Sequence, residues 1–170
     1  MVVSMKGMEQ WCYWDALSFA QKPRFEISDD EAKDQLEHLL RQAVKSQMIA
    51  DVPLGAFLSG GIDSSLVVSF MPELANHKVK TFTIGFDSPI DEAPHAAAIA
   101  NYLNTDHTVE YLSEADLLQH FPKIPSMFGE PFADPTAIPN FVVAKMARRH
   151  VTVCLSGDGG DEAFGGYTSW

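Results

Sequence analysis

Two stretches of small and acidic residues carry the side chains best placed to do chemistry. The first is Phe57-Leu58-Ser59-Gly60-Gly61-Ile62-Asp63-Ser64-Ser65. Adjacent glycines let the backbone turn sharply and admit another group close to the main chain. Beyond them, the unpaired N–H groups at the start of a helix carry partial positive charge and offer an anion site. Ser59, Gly60, Gly61, Asp63 and Ser64 therefore suit a phosphate or pyrophosphate cradle. A tight strand-to-helix connection, capped by Asp63 or Ser64, would use the same residues. The second stretch, Ser156-Gly157-Asp158-Gly159-Gly160-Asp161-Glu162, is another small-residue turn, now with three carboxylates. Asp63 and Asp161 could converge on one magnesium ion, which takes one or two protein carboxylates and completes its shell with phosphate oxygens and water. Two such loops in one domain are hard to explain as accidental turns.

Both loops need elements that bring them together. Val52 to Leu58 is short and apolar, as a buried strand requires. Ser64 to Phe70 has helical spacing and is expected to stop before Pro72. Further strands are expected over 79–86, 107–111 and 151–155, with helices over 91–103, 114–120 and 137–149 between them. Asp87-Ser88-Pro89-Ile90 and Gly129-Glu130-Pro131-Phe132-Ala133-Asp134-Pro135-Thr136 read as loops, the latter ending in an N-cap candidate. This alternation predicts an α/β fold: a parallel sheet of about four to five strands sandwiched by helices. Ligands in such sheets gather beyond the carboxyl ends of the strands, where both loops would open. Upstream, residues 1 to about 27 read as irregular, with Trp11-Cys12-Tyr13-Trp14 as a short strand or apolar plug and Gln21-Lys22-Pro23-Arg24 as linker. Ser28 and Glu31 have capping-box spacing. Leu36, Leu39, Leu40, Ala43 and Val44 then mark one face of a helix running to about Ile49. The expected organisation is a junction over 1–27 and a domain over 28–170.

Composition narrows the chemistry. A net charge of −11 over 170 residues argues against nucleic acid as the main partner. It is compatible with a nucleotide held by backbone amides and a metal. No apolar run approaches a membrane span, and the N-terminus lacks a signal-peptide layout, so a cytoplasmic location is expected. Cys12 and Cys154 provide neither a disulfide framework nor metal spacing, and Cys154 lies in the apolar run Val151 to Leu155. Neither Gly-x-x-x-x-Gly-Lys-Ser/Thr nor Gly-x-Gly-x-x-Gly occurs at the first loop.

Ser59-Gly60-Gly61-Ile62-Asp63-Ser64 resembles the pyrophosphate loop of the ATP pyrophosphatases, an adenine nucleotide alpha-hydrolase-like group. Val52-Pro53-Leu54-Gly55, the Gly129 to Thr136 loop, and Leu155 through Glu162 with Gly165-Gly166-Tyr167 narrow the resemblance to the synthetase domain of glutamine-dependent asparagine synthetases. The resemblance implies an enzyme that activates aspartate with Mg-ATP as β-aspartyl-AMP, releases pyrophosphate, and then lets ammonia derived from glutamine displace AMP. It implies that Ser59, Gly60, Gly61, Asp63 and Ser64 hold the pyrophosphate portion. Asp63 and Asp161 would be the magnesium ligands. Leu58 and Ile84 would contact the adenosine, with Ser156 and Gly157 lining the same pocket. Asp158 stands where many members have glutamate, a residue tied to intermediate formation and ammonia attack.

Departures from the family pattern set further expectations. The residues before the linker are too few for the family's glutaminase domain, and no residue matches the later lysine thought to stabilise the activated intermediate. The sequence therefore reads as an incomplete synthetase domain, served by a separate glutaminase domain or by self-association. The alternatives are an Mg-ATP-binding module without catalysis of its own, and a relative that activates another carboxylate.

Overall fold

The computed structural model describes residues 1–88, 91–130 and 132–167. Pro89, Ile90 and Pro131 of the expected loops, and residues 168–170 of the expected domain, lie outside the described residues. Contacts divide the chain into two units, Met1–Leu36 and Glu37–Trp170.

The first unit corrects the expectation of an irregular start. Strands β1 (Val2–Ser4) and β2 (Gly7–Glu9) form an antiparallel hairpin, and helix α1 (Ala16–Ala20) follows. Strands of three residues are too short to show alternation, which is why periodicity passes over them. Trp11 to Trp14 is neither strand nor plug; Tyr13 is 93% exposed, and Trp14 instead stacks on Phe19. Asp15 caps α1 by accepting from the amides of Leu17 and Ser18. Helix α2 (Asp29–Gln47) begins with the expected capping box: the Ser28 amide and hydroxyl donate to Glu31, and the Glu31 amide donates to the Ser28 hydroxyl.

The second unit is a four-stranded parallel sheet, as the alternation predicted, and its strand order is β5-β4-β3-β6. Its strands are β3 (Leu54–Phe57), β4 (Lys80–Phe86), β5 (Asp106–Leu112) and β6 (Val153–Leu155). Between them run α3 (Ile62–Leu74), α4 (Ala93–Tyr102), α5 (Glu114–His120), α6 (Ile124–Met127) and α7 (Ala137–Ala147). The central strands are covered on both faces; β3 reads as a run of apolar and small residues, whereas β4 alternates Thr81 and Thr83 with Phe82 and Ile84 and buries both threonines. One core joins Ala56 and Leu58 to Val68 and Met71 of α3 and Ala96 and Ala100 of α4. The other packs Phe82 against Met146, Ala147 and Val151. Alanines on α4 let that helix lie close to the sheet.

Three local expectations change. Helix α3 does not stop before Pro72; it runs one turn further, where Met71 and Leu74 pack into the core and Glu73 pairs with Arg41. Packing there outweighs the amide that proline lacks. The row packed into the core is Leu40 and Val44 on α2 with Met48 just beyond its end, whereas Leu39 stays 59% exposed. Thr136 precedes α7, but its hydroxyl donates to Asp134 (2.7 Å) and caps no helix amide. No helix among the described residues is long and apolar enough to cross a membrane.

Candidate functional site

Because β3 and β6 are parallel neighbours, paired Leu54↔Val153 through Ala56↔Leu155, the segments that follow them leave the sheet side by side. The loop after β3 is Leu58 to Gly61, and the loop after β6 is Ser156 to Gly159. Each then enters a helix, α3 in the first case and the five-residue α8 (Gly160–Phe164) in the second. A cleft of about 710 Å³ opens above the carboxyl ends of β3, β4 and β6. Leu58, Ser59, Asp63, Ser64, Ile84, Ser156, Gly157, Asp158 and Asp161 all line it. Of the residues singled out in the sequence, Gly60 and Gly61 stand apart from the lining.

These two glycines shape the loop. Gly60 has φ +86°, a conformation costly for any residue with a Cβ, and it lies against the start of α4. Gly61, not Asp63 or Ser64, is the N-cap of α3, and no side chain caps that helix start. Asp63 and Ser64 are thereby released from the capping role that the sequence also allowed. Serine hydroxyls hold the loop instead. The Ser59 amide donates to Ser64 Oγ (3.2 Å), the two hydroxyls meet at 2.9 Å, and the Gly61 amide donates to Ser59 Oγ (3.2 Å). Ser65 Oγ donates to the Gly61 carbonyl (2.6 Å). At 8% exposure, Ser64 is the only one of these serines that is buried.

The second loop is seated on the first through glycine. A Cβ at Gly157 would stand 2.6 Å from the Ser64 amide nitrogen and 2.9 Å from the Asp63 carbonyl carbon. A Cβ at Gly160 would stand 2.6 Å from Asp63 Oδ2. Backbone therefore meets backbone at Gly157, and the Asp63 carboxylate rests against Gly160. Asp158 accepts from the Ser156 hydroxyl at 3.0 Å. Asp161, in the first turn of α8, rests its carboxylate on Gly166. Tyr167 donates its hydroxyl to Glu162 (2.7 Å), which holds that carboxyl below its ordinary range and pushes the phenol up. Among the described residues, no group of three or more His, Cys, Asp or Glu side chains is gathered to hold a metal.

Several lining residues were missed in the sequence. Glu92, at the start of α4, and Thr136 and Asn140, at the start of α7, share the cleft wall; Glu162 and Tyr167, already part of the second motif, line it too. Phe57, Phe82 and Val143 give one side of it an apolar surface. Pattern alone could have raised Thr136, which ends the Gly129 loop. Glu92 and Asn140 carry no local signal, because the sheet order brings them in.

The asparagine synthase family matches residues 35–170. The chain is 41% identical over 146 residues to asparagine synthetase (glutamine-hydrolysing) 1 of Bacillus subtilis, a match covering 84% of this chain and 22% of that protein. It is 42% identical to a Methanocaldococcus jannaschii protein whose name is also that of a glutamine-hydrolysing asparagine synthetase, covering 95% of this chain and 31% of the relative. The chain thus spans less than a third of the length of these relatives. Among solved structures, an NH3-dependent NAD synthetase from Campylobacter jejuni superposes with a TM-score of 0.54 at 14% identity, over 79% of this chain and 60% of that one. That likeness shows the fold, an adenine nucleotide alpha-hydrolase-like sheet and helices. By the extent of the family match, this chain belongs to the asparagine synthase family.

Proposed function

We propose that the cleft binds Mg-ATP and that the chain supplies the carboxylate-activating part of an asparagine synthetase. One observation carries this reading. The two glycine loops, distant in sequence, touch through Gly157 and line one cleft. The Ser59–Ser64 loop would take the β- and γ-phosphates on backbone amides and the Ser59 and Ser64 hydroxyls, next to the N-terminus of a thirteen-residue helix. Leu58 and Ile84, beside the apolar wall, would face the adenosine, with Ser156 and Gly157 completing that side.

Asp63 and Asp161 offer hard oxygen donors in the same cleft, the donor type that magnesium takes, and they would hold it. The ion would neutralise charge on the departing pyrophosphate. Around it the protein's own groups would orient the reactants: loop amides fix the phosphates, and the cleft floor fixes the nucleoside, so that a substrate carboxylate meets the α-phosphorus in line. Asp158, with one oxygen held by Ser156, would receive a proton from the ammonia that displaces AMP. Aspartate is the acceptor favoured by the matches. Relatives at 41–42% identity bear asparagine synthetase names, whereas a Penicillium rubens protein named amidase chyE is 30% identical. In this reading the enzyme is a cytoplasmic carbon–nitrogen ligase, fed ammonia by a glutaminase domain.

Calorimetric titration tests the reading. The chain is expected to bind Mg-ATP at one site, and Asp63→Ala to weaken it at least about tenfold, the lower end of what disturbing a metal's ligand shell costs. Equal affinity in that variant would refute the metal assignment. For the acceptor, residues 35–170 would replace the matching segment of the Bacillus subtilis relative. Pyrophosphate release stimulated by aspartate is expected, and release indifferent to aspartate would point to another carboxylate.

A further inference from the structure

The ladder between β3 and β4 runs in register from Gly55↔Lys80 to Phe57↔Phe82 and closes with the Leu58 amide donating to the Phe82 carbonyl at 3.0 Å. In a parallel pair, the next bond would come from the amide of Ile84 to the carbonyl of Leu58. Here the Leu58 carbonyl accepts from the hydroxyl of Thr83. A side chain has taken the place of a ladder amide, so β3 parts from β4 at that residue, immediately before Ser59. Thr83 is 3% exposed and Leu58 is 1% exposed, so water does not compete for this bond.

We infer that Thr83 is a positioning residue for the phosphate loop: its hydroxyl sets the angle at which the chain leaves the sheet, and thereby where the Ser59–Ser64 amides and hydroxyls stand. This rests on the Mg-ATP reading of the cleft. Valine at position 83 keeps the shape but leaves the Leu58 carbonyl buried without its donor. The free carbonyl would then draw toward the Ile84 amide, pulling the base of the loop back onto the ladder. Another buried threonine hydroxyl on the same strand provides the contrast. Thr81 meets Thr105 Oγ1 and His107 Nδ1, both at 2.9 Å, and its hydroxyl bonds to none of the residues 58–64.

The test compares Mg-ATP and adenosine as probes on the full chain and its Thr83→Val, Thr83→Ser and Thr81→Val variants, by calorimetry with melting temperatures alongside. Thr83 and Leu58 also line the cleft, so some loss of adenosine is expected. Thr83→Val is expected to weaken Mg-ATP about tenfold or more and adenosine clearly less, because the lost bond lies where the chain turns into the Ser59–Ser64 loop. Thr83→Ser restores the hydroxyl and is expected to return Mg-ATP affinity to within about twofold of the parent. Thr81→Val should lower the melting temperature comparably yet leave Mg-ATP binding unchanged. Parent-like Mg-ATP affinity in Thr83→Val would overturn the role of Thr83 alone. Equal losses for both probes, or failure of serine to rescue, would show a merely structural threonine and also overturn it. A parent chain that binds no Mg-ATP would instead refute the reading of the cleft on which the inference stands.

Discussion

The two loops of the cleft do similar work by different means. The first lies between a strand in the middle of the sheet and a thirteen-residue helix, with Val68, Phe70 and Met71 buried on that helix. Its own serine hydroxyls bond its turn internally. The second follows a three-residue edge strand and enters a five-residue helix with no buried residue. Its tie to the rest of the site is the contact of Gly157 and Gly160 with the first loop. The first loop is therefore pre-organised by the core, and the second borrows its position from the first. A nucleotide would meet a fixed phosphate cradle and a carboxylate-bearing arm held against it.

That asymmetry is most easily broken at the join. Gly157→Ala puts a methyl group where the Ser64 amide and the Asp63 backbone already stand, and neither is a flexible chain end that could swing aside. Overpacking of this kind costs roughly 1–3 kcal/mol, so Mg-ATP affinity is expected to fall by up to about a hundredfold as the arm lifts away. Melting should change by only a few degrees, because the core lies elsewhere. Affinity near that of the parent would mean that the second loop holds itself in place.

Ser64→Ala tests the other half of the contrast, the internal bonding of the first loop. It removes the acceptor of the Ser59 amide from a position that is 8% exposed. Ser59 itself is exposed, so water can replace part of the lost bond; the cost is about 1 kcal/mol, and the expected loss of Mg-ATP affinity is roughly fivefold, smaller than at the join. A loss below twofold would show that the glycine turn alone organises the cradle.

How much of this could be read in the residues follows the same divide. The sheet, its helices and the meeting of the two loops were legible, because strands alternate with helices along the chain and ligand loops sit at the carboxyl ends of parallel strands. Glu114 to His120 was read to the residue, and the structure shows a Ser113–Asp116 capping box fixing its start. Less legible was anything set by tertiary contact. Pro72 does not end α3, because Met71 and Leu74 hold the last turn in the core. Asp63 looked like a cap, yet its carboxylate rests on Gly160, a position that no local pattern connects to it. His107 read as an ordinary strand residue. In the structure it bonds Thr81 through Nδ1, its Nε2 is buried without a partner among the described residues, and burial lowers its pKa. Glycine and carboxylate patterns thus announce that a site exists, while the packed core decides which atoms face one another.

The gentlest probe of the asymmetry lies at the far end of the arm. Tyr167→Phe removes the hydroxyl that donates to Glu162 and keeps the ring. That bond lowers the folded pKa of Glu162, so its support is present above the ordinary carboxylate range and is lost as pH falls through the folded value. Glu162 is exposed, and water can replace the phenol, so the exchange costs little. Since the arm is seated at Gly157 and Gly160, loosening its outer end should change Mg-ATP affinity by less than about twofold at pH 7. Melting temperatures of parent and variant should differ slightly at that pH and converge near pH 3. A tenfold loss of affinity from this one hydroxyl would mean that the second loop is fixed from both ends, and the contrast between a fixed cradle and a borrowed arm would fail.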